Sequence, residues 1–178
     1  AVRHHPDVRR YVGSHPMAGS ERSGPLAAHV SLFEGRPWAI TPHLDSDVEA
    51  VETVEELVRL SGAVPVWLTP HEHDRAVART SHVPHLMAAL TAGRLATEPA
   101  THLALSGPGV RDVTRVAAGE PTLYGQIVTA NSEAVLDLLG EVRRQLDQVM
   151  TAIELGDRAT LEGVLALGAA GTRAIPGK

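Results

Sequence analysis

The sequence has no cysteine, a single lysine at its last position, only five aromatic residues and no long apolar run. Without cysteine there is no disulfide scaffold, no thiolate zinc site and no cysteine nucleophile, and the composition is compatible with the cytosol, the expected location. A net charge of −5 argues against broad electrostatic capture of nucleic acid or of an anionic membrane, so neither is an expected partner. No apolar stretch approaches the roughly 20 residues that span a bilayer, and no signal-peptide layout opens the chain. With Tyr11, Phe33, Trp38, Trp67 and Tyr124 as its only aromatics, the core must be built from Val, Leu and Ala. A strand-borne G-x-G-x-x-G is also missing. Gly107-Pro108-Gly109 ends in Asp112 and follows no strand. The chain opens without Met, and it is expected to be a fragment or a processed form.

What is present is histidine, ten in 178 residues, on a chain long enough for one domain or a domain and a fraction. Arg9–Gly13 reads as a brief strand running into a Gly- and Pro-containing loop over 14–24. Pro37–Thr41 and Val64–Leu68 read as two more short strands. Between them, Asp45 or Ser46 is expected to cap a helix to about Ser61, with Val48, Val51, Val54 and Val58 on one face and Gly62 as its stop. Thr69 with Pro70 opens a long helical stretch over 71–95 that Pro84 should kink or interrupt near Val83. A linker with Pro99, Gly107, Pro108 and Gly109 leads to shorter helices at 110–118 and 121–129. Asn131 is expected to cap a helix over 132–155, about 35 Å long at 1.5 Å per residue, with a continuous apolar stripe. Gly156 breaks it, Asp157 caps a last helix to about Leu167, and the Gly- and Ala-rich tail from Gly168 is expected to fray. The pattern is therefore mainly α, the end of an α/β unit over 1–69 and then helices over 70–178.

Three clusters carry chemistry. His15 sits between a strand end and Pro16 in a loop of small residues, with an imidazole free to face a cleft. His71, His73 and Asp74 precede Ser81, His82 and His85, and the last two histidines share a helix face. Such a set can hold a metal or hydrogen-bond a polar substrate, although it lacks the H-E-x-x-H spacing of a zinc helix. Arg111 and Arg115 are neighbours near a helix N-terminus, a good receptor for a carboxylate. Taken singly, each cluster also reads as an ordinary solvated loop or helix face, with Asp112 and Arg115 as a surface pair.

Together the clusters are specific. Gly13-Ser14-His15-Pro16-Met17-Ala18-Gly19 with Glu21 and Ser23-Gly24 resembles the G-S-H-P-x-A-G-x-E-x-S-G segment of prephenate dehydrogenases. Phe33-Glu34-Gly35-Arg36-Pro37-Trp38 with Thr41-Pro42 is similar to their F-x-G-x…T-P strand. His73-Asp74, Ala78 and Ser81-His82-Val83-Pro84-His85 are similar to their H-D-x-x-x-A-x-x-S-H-x-P-H helix. Gly109 to Ala117, followed by Pro121, resembles G-F-[RK]-D-x-T-R-I-A…P. Three departures stand out: Val110 replaces the usual Phe, Tyr124 a frequent Trp, and Gly119-Glu120 a common Ser-Asp.

The resemblance implies an enzyme of tyrosine biosynthesis that oxidises prephenate, or arogenate, with NAD or NADP. Loss of the ring carboxylate then gives 4-hydroxyphenylpyruvate from prephenate. It implies a mainly α fold, the final short strands and helix of a Rossmann-like α/β domain over 1–69 followed by an all-helical dimerisation domain over 70–178. It also implies a homodimer built on that helical domain, and a cofactor bound mainly by residues outside this chain, with Ser14 and Pro16 as its contacts here. By the same carry-over His15 is the catalytic base. Ser81, His82, His85, Arg111, Arg115 and Tyr124 bind substrate, Glu21 and Asp112 gate entry, and no metal is required. Two other readings stay open: a metal-dependent hydrolase using His71, His73, Asp74, His82 and His85, and a non-catalytic dimerisation module. Without a nucleotide-binding half, the chain by itself is expected to be inactive.

Overall fold

The computed structural model describes residues 7–18 and 28–176. Its residues fall into two compact units, Ala1–Val135 and Leu136–Lys178, with the division inside one long helix.

The first unit opens with a short 3-10 turn, Val8–Arg10, where a strand was expected. The turn forms because the Asp7 carboxylate accepts from the Arg9 N–H and caps it. Strand β1 follows at Gly13–Pro16, within the expected loop, so His15 is held in a strand. Strand β2 is Pro37–Thr41, helix α1 is Val48–Leu60 and strand β3 is Val64–Trp67. β1 pairs antiparallel with β2, setting His15 opposite Ala39, while β2 and β3 run parallel across the α1 crossover. Trp38, Ile40, Val58 and Ala63 form the core, with Val12, Phe33 and Val54 packed against them. Asp47, rather than Asp45 or Ser46, stands at the N-cap of α1, and it makes no side-chain cap bond. Gly62 reverses the chain into β3 at a φ of +72°, a conformation that favours glycine.

Thr69 and Glu72 close a capping box at the start of α2, Pro70–Val77. The expected interruption at Pro84 is present as a widened π turn over Ala78–His82, from which α3 continues at Val83–Leu95. The Val83 N–H reaches back five residues to the Ala78 carbonyl. This wider turn accommodates the proline ring and its missing donor without ending the helical path. The expected linker contains a short helix α4, Ala100–Leu103. Helix α5, Pro108–Thr114, starts earlier than its periodicity suggests and tightens into a 3-10 turn at Arg115–Ala118 before α6, Pro121–Ala130. Both α5 and that turn pack on α3.

Helix α7 spans Ser132–Leu155 as expected, and its first turns belong to this unit. The rest of α7 and helix α8, Arg158–Ala174, make up the second. Gly156, at φ +66°, ends α7, and the Asp157 N–H closes back on the Ala152 carbonyl at 2.8 Å. Asp157 caps α8 through the Thr160 N–H. The tail expected to fray is helical through Ala174, since its alanines favour helix and Thr172 folds back on the Gly168 carbonyl. No helix among the described residues is long and apolar enough to cross a membrane.

Candidate active site

The first unit brings its histidines together from three elements. His15, half-buried on β1, has Nδ1 2.9 Å from Nε2 of His73 on α2, with the two rings edge to face. His73 turns its other nitrogen, Nδ1, to Asp74 Oδ1 at 3.0 Å. His82 ends the π turn and is buried, and its Nδ1 lies 3.2 Å from the Asn131 Nδ2. The same Asn131 amide nitrogen donates to the Asp74 carbonyl at 2.8 Å. A carbonyl only accepts, so the atom there must be the amide nitrogen, and the His82 Nδ1 must be the acceptor. Neutral His82 therefore carries its proton on Nε2.

His85, one α-helical turn on, is buried beneath Tyr124 of α6, the rings lying parallel with centroids 3.3 Å apart. Its Nδ1 has no partner among the described residues. Gly119 closes the stack, because a Cβ there would stand 2.6 Å from a Tyr124 ring carbon and 2.9 Å from one of His85.

Burial favours the neutral forms of His15, His82 and His85. His15 titrates below its ordinary value, through desolvation first and then the charge of His73. His82 is lowered by desolvation and by His15 and His73, with Asp74 pulling the other way. Desolvation alone lowers His85. An imidazole whose neutral form is favoured can accept a single proton, as proton transfer from an alcohol requires.

For the other sequence candidates the structure gives the element and the exposure. Ser81 is half-buried in the π turn beside His82, Ser14 is exposed on β1, and Pro16 is half-buried. Arg111 is exposed on α5, and Arg115 is exposed at the start of the turn that follows it. Asp112 is exposed between them, and Glu21 lies outside the described residues. His71 is exposed on α2. Among the described residues, no group of three or more His, Asp or Glu side chains is placed to hold a metal ion. Asn131 stands at the start of α7 as expected, its carbonyl accepting from the Val135 N–H, and sequence reasoning missed the reach of its side-chain nitrogen to α2 and the π turn. Gly119 was noted only as a departure, because a close approach between rings has no local sequence signal.

Residues 69–167 match the family described as prephenate dehydrogenase, dimerization domain, and residues 1–77 match prephenate dehydrogenase, nucleotide-binding domain. The chain belongs to the prephenate dehydrogenase family. It is 34% identical over 161 residues to the prephenate dehydrogenase of Bacillus subtilis, covering 88% of this chain and 43% of that protein. Synechocystis arogenate dehydrogenase superposes with a TM-score of 0.78 at 30% identity, over 92% of this chain and 60% of the other. The prephenate dehydrogenase of A. aeolicus, solved with hydroxyphenyl propionate and NAD+, gives 0.81 at 25% identity, over 94% and 60%. The chain thus spans less than half the length of the B. subtilis relative. The small sheet followed by helices is the architecture these prephenate dehydrogenase relatives share with it.

Proposed function

We propose that this chain supplies the substrate-binding and proton-accepting part of an NAD- or NADP-dependent dehydrogenase. The enzyme converts prephenate to 4-hydroxyphenylpyruvate, with arogenate as the other substrate of the same class. The observation that carries the reading is the fixed His15, an imidazole whose neutral form burial favours, with one nitrogen tied to His73 and the other without a partner among the described residues.

A bound NAD or NADP would supply the acceptor for the hydride of the ring's carbinol carbon. His15 takes the hydroxyl proton as that carbon becomes a carbonyl. The bond to the ring carboxylate then breaks, its electron pair enters the ring toward the new carbonyl, carbon dioxide leaves, and the oxygen takes a proton as the phenol forms. His82 Nε2–H and Ser81 orient the substrate, Tyr124 on His85 forms an apolar wall, and Arg115, with Arg111 beside it, holds a carboxylate. Asp112 and Glu21 gate entry.

Little of the dinucleotide would be held here. The connection from β2 to α1 has no glycine, and Asp47 puts a carboxylate at the helix start, where a phosphate would be repelled. Ser14 and Pro16 are the residues of this chain that would meet the nicotinamide end. The 1–69 and 70–178 segments then divide the labour between cofactor and substrate. A homodimer through the helical segment and a cytoplasmic location complete the reading.

The test is steady-state kinetics of the full-length enzyme with His15→Asn. A loss of turnover of about 10²–10⁴-fold, with the KM for prephenate within a few-fold, is expected for removal of a general base. Near-normal turnover, or wild-type enzyme that reduces neither cofactor with either substrate, overturns the reading.

A further inference from the structure

We infer that His73 and Asp74 are positioning residues that lock His15 in the tautomer whose Nε2 carries the free lone pair. The inference rests on the proposed role of His15 as base, and it assigns a task to residues which that role does not include.

The argument runs from Asp74 inward. An ionised carboxylate only accepts, so the 3.0 Å contact requires a proton on Nδ1 of His73. Neutral His73 then has a lone pair on Nε2, the atom 2.9 Å from Nδ1 of His15. His15 must donate there, and neutral His15 is left with its lone pair on Nε2, where a substrate hydroxyl can give up its proton. Without the chain the two His15 tautomers would compete, and one of them has a donor where an acceptor is needed. A third group oriented by a carboxylate is the same logic that fixes histidine in hydrolytic triads. Geometry favours a lasting lock. His73 is only 18% exposed in its side chain, on a helix pinned at its start by Thr69 and Glu72. His82 faces the same cluster but spends its Nδ1 on Asn131, so it does not compete for His15 Nδ1. Protonation of His73 would reverse the bond, so the lock belongs to the pH range in which His15, His73 and His82 are neutral and Asp74 is ionised.

The experiment is nitrogen-15 NMR of this chain with labelled histidine, above the histidine titration range. The expected result is His15 with a protonated Nδ1 and an unprotonated Nε2. In His73→Leu the signal should shift toward a mixture of tautomers, and in His73→Gln, whose amide oxygen still accepts, it should stay as in the wild type. A proton on Nε2 of His15 in the wild type overturns the inference, whatever the enzyme's activity. In the full-length enzyme, His73→Leu should lower kcat by about 10- to 100-fold with KM nearly unchanged, a part of what a general base contributes, and His73→Gln should restore most of it. Equal activity of the Leu and Gln variants would also overturn it. Should His73→Leu fail to fold, the wild-type and His73→Gln spectra still decide. These outcomes are separate from failure of the proposed reaction, which would show as wild-type enzyme inert toward prephenate.

Discussion

Tyr124 lies flat on His85, with ring centroids 3.3 Å apart and planes 7° from parallel, and Gly119 is the only kind of residue that fits over both. Gly119 and Tyr124 belong together, because the missing side chain at 119 leaves room for the Tyr124 ring to lie on His85.

Gly119→Ala should therefore be costly for so small a change. Its Cβ would meet two stacked rings at under 3 Å, and neither ring has a flexible end to swing away. Overpacking of this kind costs about 1–3 kcal/mol. The thermal midpoint should fall by about 2–4 °C for each kcal/mol in a chain of this size. Tyr124→Ala in the same molecule should recover most of the loss, and an Ala variant melting with the wild type would show that the stack yields freely.

Most of the scaffold was legible in the sequence because its signals are local. Pro37–Thr41, the Thr69-Pro70 start and the 132–155 stripe are each set by residues within a few positions. The errors lie where a distant partner decides. Ser14–Pro16 looks like a loop until β2 pairs with it, and the reach of the Asn131 amide to His82 and the Asp74 carbonyl has no local signal. The cluster was legible in membership and illegible in pairing. His73 and Asp74 suggested a metal site, whereas the nitrogen that faces His15 is set by the meeting of β1 with α2.

Asn131 gives the next test. Asn131→Leu removes the donor to the Asp74 carbonyl, which keeps the Ala78 N–H, and to the Nδ1 of buried His82, which is left unpaired at a cost of about 1–3 kcal/mol. Asn131→Asp should do more than destabilise. A carboxylate cannot donate to either acceptor, and beside His82 it favours the imidazolium. An NMR titration should show the His82 transition moved upward in that variant, and an unmoved transition would mean that the contact does not persist in solution.

Stability should fall on mild acidification. His15, His82 and His85 all resist protonation in the folded chain, burial being the leading cause at each. Between their lowered values and the ordinary histidine value of about 6.5, the unfolded chain binds more protons, so unfolding free energy rises with pH there. Stability is full above the ordinary value and declines as pH falls through it toward the folded-state values. Glu72, Glu120 and Asp157, held below the usual carboxylate range by capping hydrogen bonds, add their losses only in stronger acid. Denaturant midpoints across the mildly acidic range should trace the decline, and His82→Gln should flatten it.

Arg115→Gln should separate binding from chemistry in the full-length enzyme. A guanidinium that grips a carboxylate in both ground and transition states contributes uniform binding, so its loss raises KM and spares kcat. A rise of about 10- to 100-fold corresponds to roughly 1.4–2.8 kcal/mol, the scale of a charge-assisted pair. Arg111→Gln, one helical turn away, should change KM far less. If the two effects are reversed, the carboxylate grip belongs to Arg111.

The second unit leaves Leu146, Met150 and Ile153 of α7 exposed at 53%, 52% and 62%, at spacings that put them on one stripe of the helix. A residue set of this kind on a helix within a segment matched to a dimerization domain is where a second copy would be expected to pack. Light scattering at micromolar concentration should give about twice the chain mass of 18.8 kDa. Leu146→Arg with Ile153→Arg would place two cations opposite themselves across a two-fold interface, and should yield monomer at the same concentration. The arginine pair lies outside the His15 cluster's unit, so the His15–His73 spectrum should survive the change. A wild-type monomer would overturn the proposed dimer, and a dimer that tolerates both arginines would move the interface off this stripe.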